Sequence, residues 1–357
     1  TPLAPGVYAY IERDHALALV GPPPGASGVP DGSIRLVLTG NMDKLAKKYM
    51  SFGLRLAIQD CGCSLEVIRL VARCLDLPLR ARALWDEREL AAAIGADPRS
   101  RSWPSSTWES PTRGPREVVM RTDYKILREI IDGFSDPDAA PTSDGLAARR
   151  PRRPLGGEAL DASVLEQDGP YRHDVRRTFE RRSSTTDYAP EPLDAGPLLA
   201  SVRAALVEDA ETWGRDAAAV ALEPFVLLLR PRGARPGVYR VRPDGADLVR
   251  DLPDPEEIEG MAVQKEFARA GAIVSVAADL DRADAWAGAH GYRHAMARAA
   301  AVIYSVHLRS AARGLTGTVF AGLSPSAVRH LLDSDGVSRH QMLAVTVAVP
   351  TRAAPSP

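Results

Sequence analysis

The chain repeats one pattern of elements at a long interval, and this repeat constrains its fold more than any other feature. Gly6-Val7-Tyr8 and Gly237-Val238-Tyr239 each open an alternating segment of the kind that forms strands. A long helical pattern then covers about 44–76 in the first copy and 283–313 in the second, about 238 positions later. The repeat predicts a duplicated α+β fold whose two copies pack as an intrachain pseudo-dimer.

Apolar strands and buried helix stripes support the repeat. A strand is predicted at Ser33–Leu38 in the first copy and at Ala272–Val276 in the second. Both long helices carry apolar or small residues at steps of three and four, which is the spacing of a buried stripe. The stripes comprise Leu54, Ile58, Cys61, Leu65, Ile68 and Ala72, and Tyr292, Met296, Ala299, Ile303, Val306 and Ser310.

The copies are unequal, and the chain divides into three predicted parts. Residues 1–134 form a truncated copy and residues 170–357 form a complete copy, which has an additional section at its start. Between them, residues 135–169 are rich in Pro, Gly, Ala and Asp, a composition that buries little apolar surface. We therefore expect this segment to be a linker or a long surface loop.

Composition narrows the classes of function. The 357 residues include 45 basic and 46 acidic side chains, so net charge provides no general attraction to nucleic acid or anionic membranes. No apolar run reaches the roughly 20 residues that a membrane-spanning helix needs. The three cysteines, all between positions 61 and 74, indicate no disulfide framework. We expect a soluble, cytoplasmic protein.

Metal chemistry is not indicated. The seven histidines show no ligand spacing beyond His290 and His294, and this pair has no HExxH-type context and no evident third ligand. We expect the pair to lie on a helix surface or beside a substrate channel. The cysteines are predicted to be small buried side chains rather than zinc ligands.

The sharpest local signal for a binding site is Arg181-Arg182-Ser183-Ser184. Guanidinium groups bind phosphate oxygens in a bidentate manner, and hydroxyl and backbone N–H groups complete such a shell. The run is a candidate phosphate site, although Arg-Arg-Ser-Ser also occurs in exposed loops without this role.

The surrounding pattern adds specificity. The run leads into Tyr188, Pro190-Glu191-Pro192-Leu193 and a helix, and downstream come Arg313–Gly317 and Phe320–Pro325. Together these segments resemble the FMN-dependent nitroreductase family. The Gly-Val-Tyr strand with its polar turn is similar to one branch, the SagB-like azoline dehydrogenases, which oxidise thiazolines or oxazolines to thiazoles or oxazoles.

The resemblance implies a nitroreductase-like α+β fold and an FMN site. Arg181 and Ser183 would hold the FMN phosphate, with Arg182 near the ribityl or pyrimidine side. Thr185 stands where the family usually has Arg or Lys beside the flavin ring, and Gly322 where its loop backbone approaches the ring. Arg352 loosely matches a basic position that reaches the phosphate.

A second segment carries the implied catalytic pair. Lys48 and Tyr49 match the Lys-Tyr pair of the azoline dehydrogenase branch, just before the helix that contains Cys61. Aromatising an azoline requires hydride transfer to flavin and removal of a carbon-bound proton. A lysine with a depressed pKa, or a tyrosine activated beside a cation, would act as the base.

The implied activity is oxidation of azoline rings in a peptide or in a carrier-tethered intermediate of natural-product biosynthesis, with a cyclodehydratase, a cyclase or a carrier domain as partner. Two alternatives stay open. One is an NAD(P)H-dependent nitro- or quinone reductase, and the other is a flavin-free scaffold subunit of a biosynthetic complex.

Overall fold

A computed structural model describes residues 3–23, 34–40, 42–83, 90–92, 94, 154–165 and 175–351. The chain divides into two compact units, and each unit combines two separate stretches of the sequence. One unit comprises Thr1–Cys61 and Leu84–Ala139, and the other comprises Gly62–Ala83 and Ala140–Pro357. We describe each unit by itself.

The described part of the first unit contains a hairpin and two helical stretches. Strands β1 (Val7–Ile11) and β2 (Ala16–Gly21) pair antiparallel around a short 3-10 turn. Helix α1 spans Met42–Tyr49, and α2 spans Phe52–Cys74, of which the part to Cys61 belongs to this unit. The segment 34–38, predicted as a strand, has no regular secondary structure, so that prediction is wrong for these residues.

The long helix predicted over 44–76 is broken near its start. Met50 adopts φ 53°, a left-handed conformation that ends an α-helix, and its N–H donates to the carbonyl oxygen of Ala46 at 2.9 Å. The chain then begins α2 at Phe52, with Gly53 N donating to Met50 O. No Gly or Pro occupies position 50, so the sequence carried no sign of this break.

The second unit is built on a seven-stranded antiparallel sheet in the order β10-β11-β9-β5-β7-β8-β3. The strands are β3 (Glu158–Ala159), β5 (Leu222–Leu228), β7 (Gly237–Arg242), β8 (Gly245–Asp251), β9 (Ala272–Ala278), β10 (Val319–Phe320) and β11 (His340–Val347). A small parallel pair, β4 (Leu193–Asp194) and β6 (Pro231–Arg232), lies outside this sheet.

Seven helices in the described part of the second unit follow α2. They are α3 (Ala162–Leu165), α4 (Val175–Arg181), α5 (Ala195–Trp213), α6 (Arg215–Ala219), α7 (Pro255–Gly260), α8 (Leu280–Ala312) and α9 (Pro325–Leu331). Helix α8 contacts β9, β11, α4 and α5. The stripe predicted on α8 is confirmed, since Met296, Ala299 and Ile303 are fully buried.

One hydrophobic cluster joins the sheet to α9 and to the segment before β9. Phe225 and Ile273 from the strands pack with Phe267, Phe320 and Leu331, all less than 8% exposed. At roughly 25 cal/mol per Å² of apolar surface, burial of such side chains is a main contribution to stability. The cluster fixes β10 and the loop after it, which the candidate site uses.

Part of the segment predicted as a linker is an edge of the sheet. Within 135–169, Glu158–Ala159 pairs with β8, and Leu160 N donates to Ala246 O at 2.8 Å. Leu165 is buried, at 5% exposure. These residues therefore do not form a free connector, because their backbone completes the ladder of the outermost strand. The surrounding sequence, rich in Pro, Gly, Ala and Asp, is typical of loops and gave no indication of this short strand.

Candidate functional site

The Arg-Arg-Ser-Ser run lies immediately after helix α4. Arg181 is the last residue of this helix, and the N–H of Arg182 donates to Thr178 O at 2.9 Å. Arg181, Ser183 and Ser184 are exposed, whereas Arg182 is half-buried. The run thus presents one guanidinium and two hydroxyl groups to solvent, with a second guanidinium turned partly inward.

Hydrogen bonds fix the residues that follow this run. Thr185 O accepts from the hydroxyl of Thr318 at 2.7 Å, one position before β10. The Thr185 hydroxyl accepts from Asp187 N at 3.0 Å, so it closes a turn in its own loop. The loop is therefore anchored to the start of β10, and the Thr185 hydroxyl already has a partner within the loop.

A buried hydroxyl completes the anchor. Thr346 on β11 is fully buried; its Oγ1 accepts from Thr318 N at 2.8 Å and lies 2.9 Å from the Tyr188 hydroxyl. At Gly317, an added Cβ would overlap the carbonyl oxygen of Thr346, so only glycine allows this approach. The loop that contains Tyr188, the segment just before β10 and strand β11 are thus joined at the Thr346 side chain.

The charges of the run are suited to a phosphate group. Within residues 175–351, no ion pair joins Arg181 or Arg182 to a carboxylate. The adjacent Glu180 instead pairs with Arg176 at 2.9 Å, one turn earlier on α4. Unpaired guanidinium groups beside hydroxyls are the donors that a phosphate group requires.

Arg182 affects the pKa values of two side chains of α8. Its charge acts on Tyr304 and His307, whose ring centroids are 5.8 Å apart. Burial, assisted by the positive charge of Arg182, lowers the pKa of His307 to about 4, so this imidazole is neutral at pH 7. Burial raises the pKa of Tyr304, which keeps its hydroxyl protonated.

Gly322 lies in the loop after β10. Its carbonyl oxygen accepts from Val263 N at 2.9 Å, and the next residue, Leu323, forms a bridge with Ala262. Gly322 is four residues after Thr318, so the two lie within about 14 Å along the chain. The structure therefore brings Gly322 and the Arg181–Thr185 loop to the two ends of β10. Arg352 lies outside the described residues.

Lys48 and Tyr49 end helix α1 in the first unit. Both are exposed, and Lys48 Nζ lies 4.9 Å from the centre of the Tyr49 ring. A hydrogen bond to Tyr49, and then Coulombic attraction to it, raise the pKa of Lys48. The depressed pKa expected of a lysine base is therefore absent, and Lys48 stays charged at neutral pH.

The second unit also has a cleft of about 470 Å³ between α5, α6, β5 and β7. Its wall includes Arg298, which pairs with Asp209 at 2.6 Å. Arg240 and Arg242 in the same wall both pair with Asp247. Since these guanidinium groups are already paired, the cleft lacks the unpaired charge that the Arg181–Ser184 run presents.

The two histidines expected at a helix surface or channel are buried. His290 and His294 are 5% and 3% exposed, and the His294 ring lies between Trp213 and Trp286 at 4.6 and 5.0 Å. That expectation is wrong because the start of α8 packs inside the unit. In the described part of the chain, no group of three or more His, Cys, Asp or Glu is arranged to hold a metal ion.

Sequence reasoning missed Thr318 and Thr346 as parts of this site. Thr346 offered no signal, since threonine is common in strands.

No protein-family model matches the chain, and no curated protein matches it. Solved structures do match. A protein from Anabaena variabilis, described as a candidate nitroreductase, has a TM-score of 0.70 at 17% identity, covering 98% of this chain and 78% of its own. The chain therefore has a nitroreductase-like α+β fold. The packing of two copies as a pseudo-dimer stays a prediction.

Smaller nitroreductase-type proteins match about half of the chain. One from Ralstonia eutropha has a TM-score of 0.38 at 16% identity and covers 57% of this chain and 99% of its own. A nitroreductase family protein from Streptococcus pneumoniae has a TM-score of 0.33 at 11% identity and covers 50% and 92%. Among the described residues, no helix is both long and apolar enough to cross a membrane.

Proposed function

We propose that this protein is an FMN-dependent oxidoreductase that oxidises thiazoline or oxazoline rings to thiazoles or oxazoles in a peptide or carrier-bound precursor. The observation that supports the flavin part is the pair of unpaired guanidinium groups beside Ser183 and Ser184 on a nitroreductase-like fold. The azoline part rests on the resemblance of Lys48-Tyr49 and of the Gly-Val-Tyr strand to the azoline dehydrogenases.

The residues of the run would hold the phosphate end of FMN. Arg181 and Ser183 are both exposed, one at the end of α4 and the other in the segment that follows it. Arg182 lies between them and contributes its charge from the inner side. Charge-assisted hydrogen bonds of this kind contribute about 1.5–3 kcal/mol each.

FMN, when bound, would supply the acceptor for the hydride that leaves the azoline carbon, with O₂ as the final two-electron oxidant and H₂O₂ as its product. The chain must remove the accompanying proton. We assign this step to the Tyr49 hydroxyl, because Lys48 is charged at neutral pH and has no lone pair to accept a proton, while its Nζ lies 4.9 Å from the centre of the Tyr49 ring. Lys48 would then hold the tyrosine oxygen and balance its charge.

A mass-spectrometric assay tests the azoline part. Purified protein loaded with FMN is mixed with a thiazoline- or oxazoline-containing peptide under air, and the mass of the product is measured. We expect the loss of two hydrogen atoms per ring and formation of H₂O₂. An unchanged substrate mass with every azoline peptide and carrier-bound azoline tested would contradict the proposal.

A second candidate, an NAD(P)H-dependent nitro- or quinone reductase, has one supporting observation, the description of the matching Anabaena protein. Anaerobic addition of NADH or NADPH separates the two functions. Rapid bleaching of the bound flavin, followed by reoxidation with a nitroaromatic or a quinone, would favour the reductase. A protein that takes up no FMN but co-purifies with a cyclodehydratase would favour the scaffold role.

A further inference from the structure

The β1–β2 hairpin of the first unit has one apolar face that is largely open to solvent. Tyr8 lies opposite Leu19, and Tyr10 lies opposite Leu17, so these four side chains share one face of the two strands. We call them the outer face of the hairpin. Tyr10, Leu17 and Leu19 are 52%, 51% and 61% exposed, and Tyr8 is half-buried. The hairpin thus presents aromatic and aliphatic side chains to water.

This face departs from the usual pattern of a solvated sheet. Antiparallel strands with one face in water normally carry apolar residues on the packed face and polar residues on the other. Here the opposite face includes Ala9 and Ala18, which are half-buried, and the outer face carries no charged residue. Since a two-stranded hairpin is only marginally stable unless it packs on a further surface, the outer face requires a partner.

The polar atoms of the outer face are bonded within the hairpin segment itself. The Tyr8 hydroxyl donates to the carbonyl oxygen of Ala4 at 2.7 Å, and the Tyr10 hydroxyl lies 2.8 Å from His15 Nδ1. The Tyr10 and His15 rings meet edge to face, with their centroids 5.9 Å apart. Because both tyrosine rings are held in this way, little entropy is lost when they are covered. The face fits an apolar, uncharged partner.

The size of the exposed surface fits a protein partner. At roughly 200 Å² per Leu or Tyr residue, the exposed part of the outer face amounts to about 400 Å², which is the size of many functional patches on monomers. It is flanked by Leu3, next to Ala4 in the chain, and by Val20, next to Leu19, which are 63% and 57% exposed. Two such surfaces would together bury roughly 1,200 Å², as a stable specific interface requires.

We propose that the outer face is the contact between two copies of this chain in a symmetric dimer. A twofold interface brings the same surface of both copies together, so an uncharged apolar surface meets one of its own kind. A second copy also covers the face permanently, whereas a substrate peptide would leave it in water between turnovers. The inference does not depend on a bound flavin or on the proposed reaction.

Sedimentation velocity of the full chain tests the proposal. We expect the wild type to be a dimer, and Leu17→Lys should weaken dimerisation at least about 100-fold, because each copy then buries a charge in the interface. Val207→Lys is the matched control, since it makes the same change at an apolar residue of α5 that is 43% exposed. It should leave the dimer intact, and circular dichroism checks that both variants are folded. A monomeric wild type would overturn the proposal, as would a dimer that Leu17→Lys and Leu19→Lys both leave unchanged.

Hydrogen–deuterium exchange locates the contact. The backbone amides of residues 8–19 should exchange more slowly at protein concentrations where the dimer forms than after dilution, and Leu17→Lys should remove this difference. A dimeric wild type whose hairpin exchanges at the same rate at all concentrations would have its contact elsewhere, which would overturn the proposal. A monomer that binds an azoline peptide through these residues would overturn it as well, because the occupant would then be the substrate.

Discussion

A guanidinium nitrogen of Arg69 lies 2.6 Å from a carboxylate oxygen of Glu208, and the two residues are 139 positions apart in the chain. Arg309 of α8 approaches the same carboxylate at 2.6 Å, and Glu66 pairs with Arg69 at 2.6 Å. All four side chains are nearly buried. The later part of α2 is thereby joined to α5 and α8, so residues from the predicted first copy belong to the core of the second unit.

Glu208→Ala should strongly destabilise the second unit. Removing the carboxylate leaves Arg69 and Arg309 buried without their shared partner, a change that typically costs about 3–5 kcal/mol. Urea unfolding at pH 7 gives the change in the free energy of unfolding. Asp194→Ala, which breaks an exposed pair with Arg232, is the control and should cost less than about 1 kcal/mol.

Glu208 also predicts a dependence of stability on pH. Burial alone would raise the pKa of this carboxyl, but Arg309 and Arg69 lower it to about 2 in the folded protein. A depressed folded pKa stabilises the protein above the ordinary value of 4.5, and this contribution is lost as the pH falls from there toward 2. The free energy of unfolding of Glu208→Gln should therefore fall less steeply with decreasing pH over this range than that of the wild type. Parallel curves would contradict the assignment.

Gly62→Ala should destabilise the packing of α2 on α8. A Cβ at this position would overlap the carbonyl oxygen of Ala297 and lie within 3 Å of the Ala300 Cβ, so the helices would have to separate. Overpacking of this kind costs about 1–3 kcal/mol and would outweigh the better helix propensity of alanine. Thermal or urea unfolding measures the effect. Gly156→Ala, where an added Cβ meets nothing within 4 Å, should be close to neutral.

Thr346→Val should loosen the loop that carries the candidate phosphate site. The substitution keeps the shape of the side chain but removes the oxygen that accepts from Thr318 N and pairs with the Tyr188 hydroxyl. We expect a loss of about 1–3 kcal/mol in the free energy of unfolding and weaker FMN binding. Thr351→Val, which removes an exposed bond to Asp187, is the control. If both variants bind FMN like the wild type, the loop does not depend on this anchor.

Tyr49→Phe should abolish azoline oxidation while FMN stays bound. The variant keeps the ring beside Lys48 and removes only the hydroxyl that we assign as base, and loss of such a group lowers turnover about 10²- to 10⁴-fold. Lys48→Met should lower turnover as well, whereas Lys47→Met on the same helix should not. Steady-state turnover and FMN titration of the three variants check this. Full activity in Tyr49→Phe would show that another group takes the proton.

The sequence predicted the parts of the fold in which apolar residues of a helix or strand are buried in the core. The stripe residues on α8 and the strand at Ala272–Val276 are examples, because these residues are buried in the core. Position 50 was not predictable, since nothing in its chemistry marks the left-handed turn at Met50. The strand expected at 34–38 did not form, although its alternation is strong, because strand structure depends on a partner that the local pattern does not contain.

The candidate site shows the same division. Arg181 and Ser183 were identified from their chemistry, and their exposure agrees with a ligand role that stays a prediction. The side chains that support the loop were not identified, because Thr318 and Thr346 become neighbours only through the pairing of β10 with β11. Such contacts are set by tertiary structure and have no local signature.

The most direct test of the account is an FMN titration of the purified chain and of the double variant Arg181→Ala/Ser183→Ala, followed by visible absorption and flavin fluorescence. We expect the wild type to bind FMN and the double variant, with the same secondary structure, to bind it at least about 100-fold more weakly. A wild-type protein that binds no FMN, or a double variant that binds it equally well, would contradict the claim that this run holds the flavin phosphate.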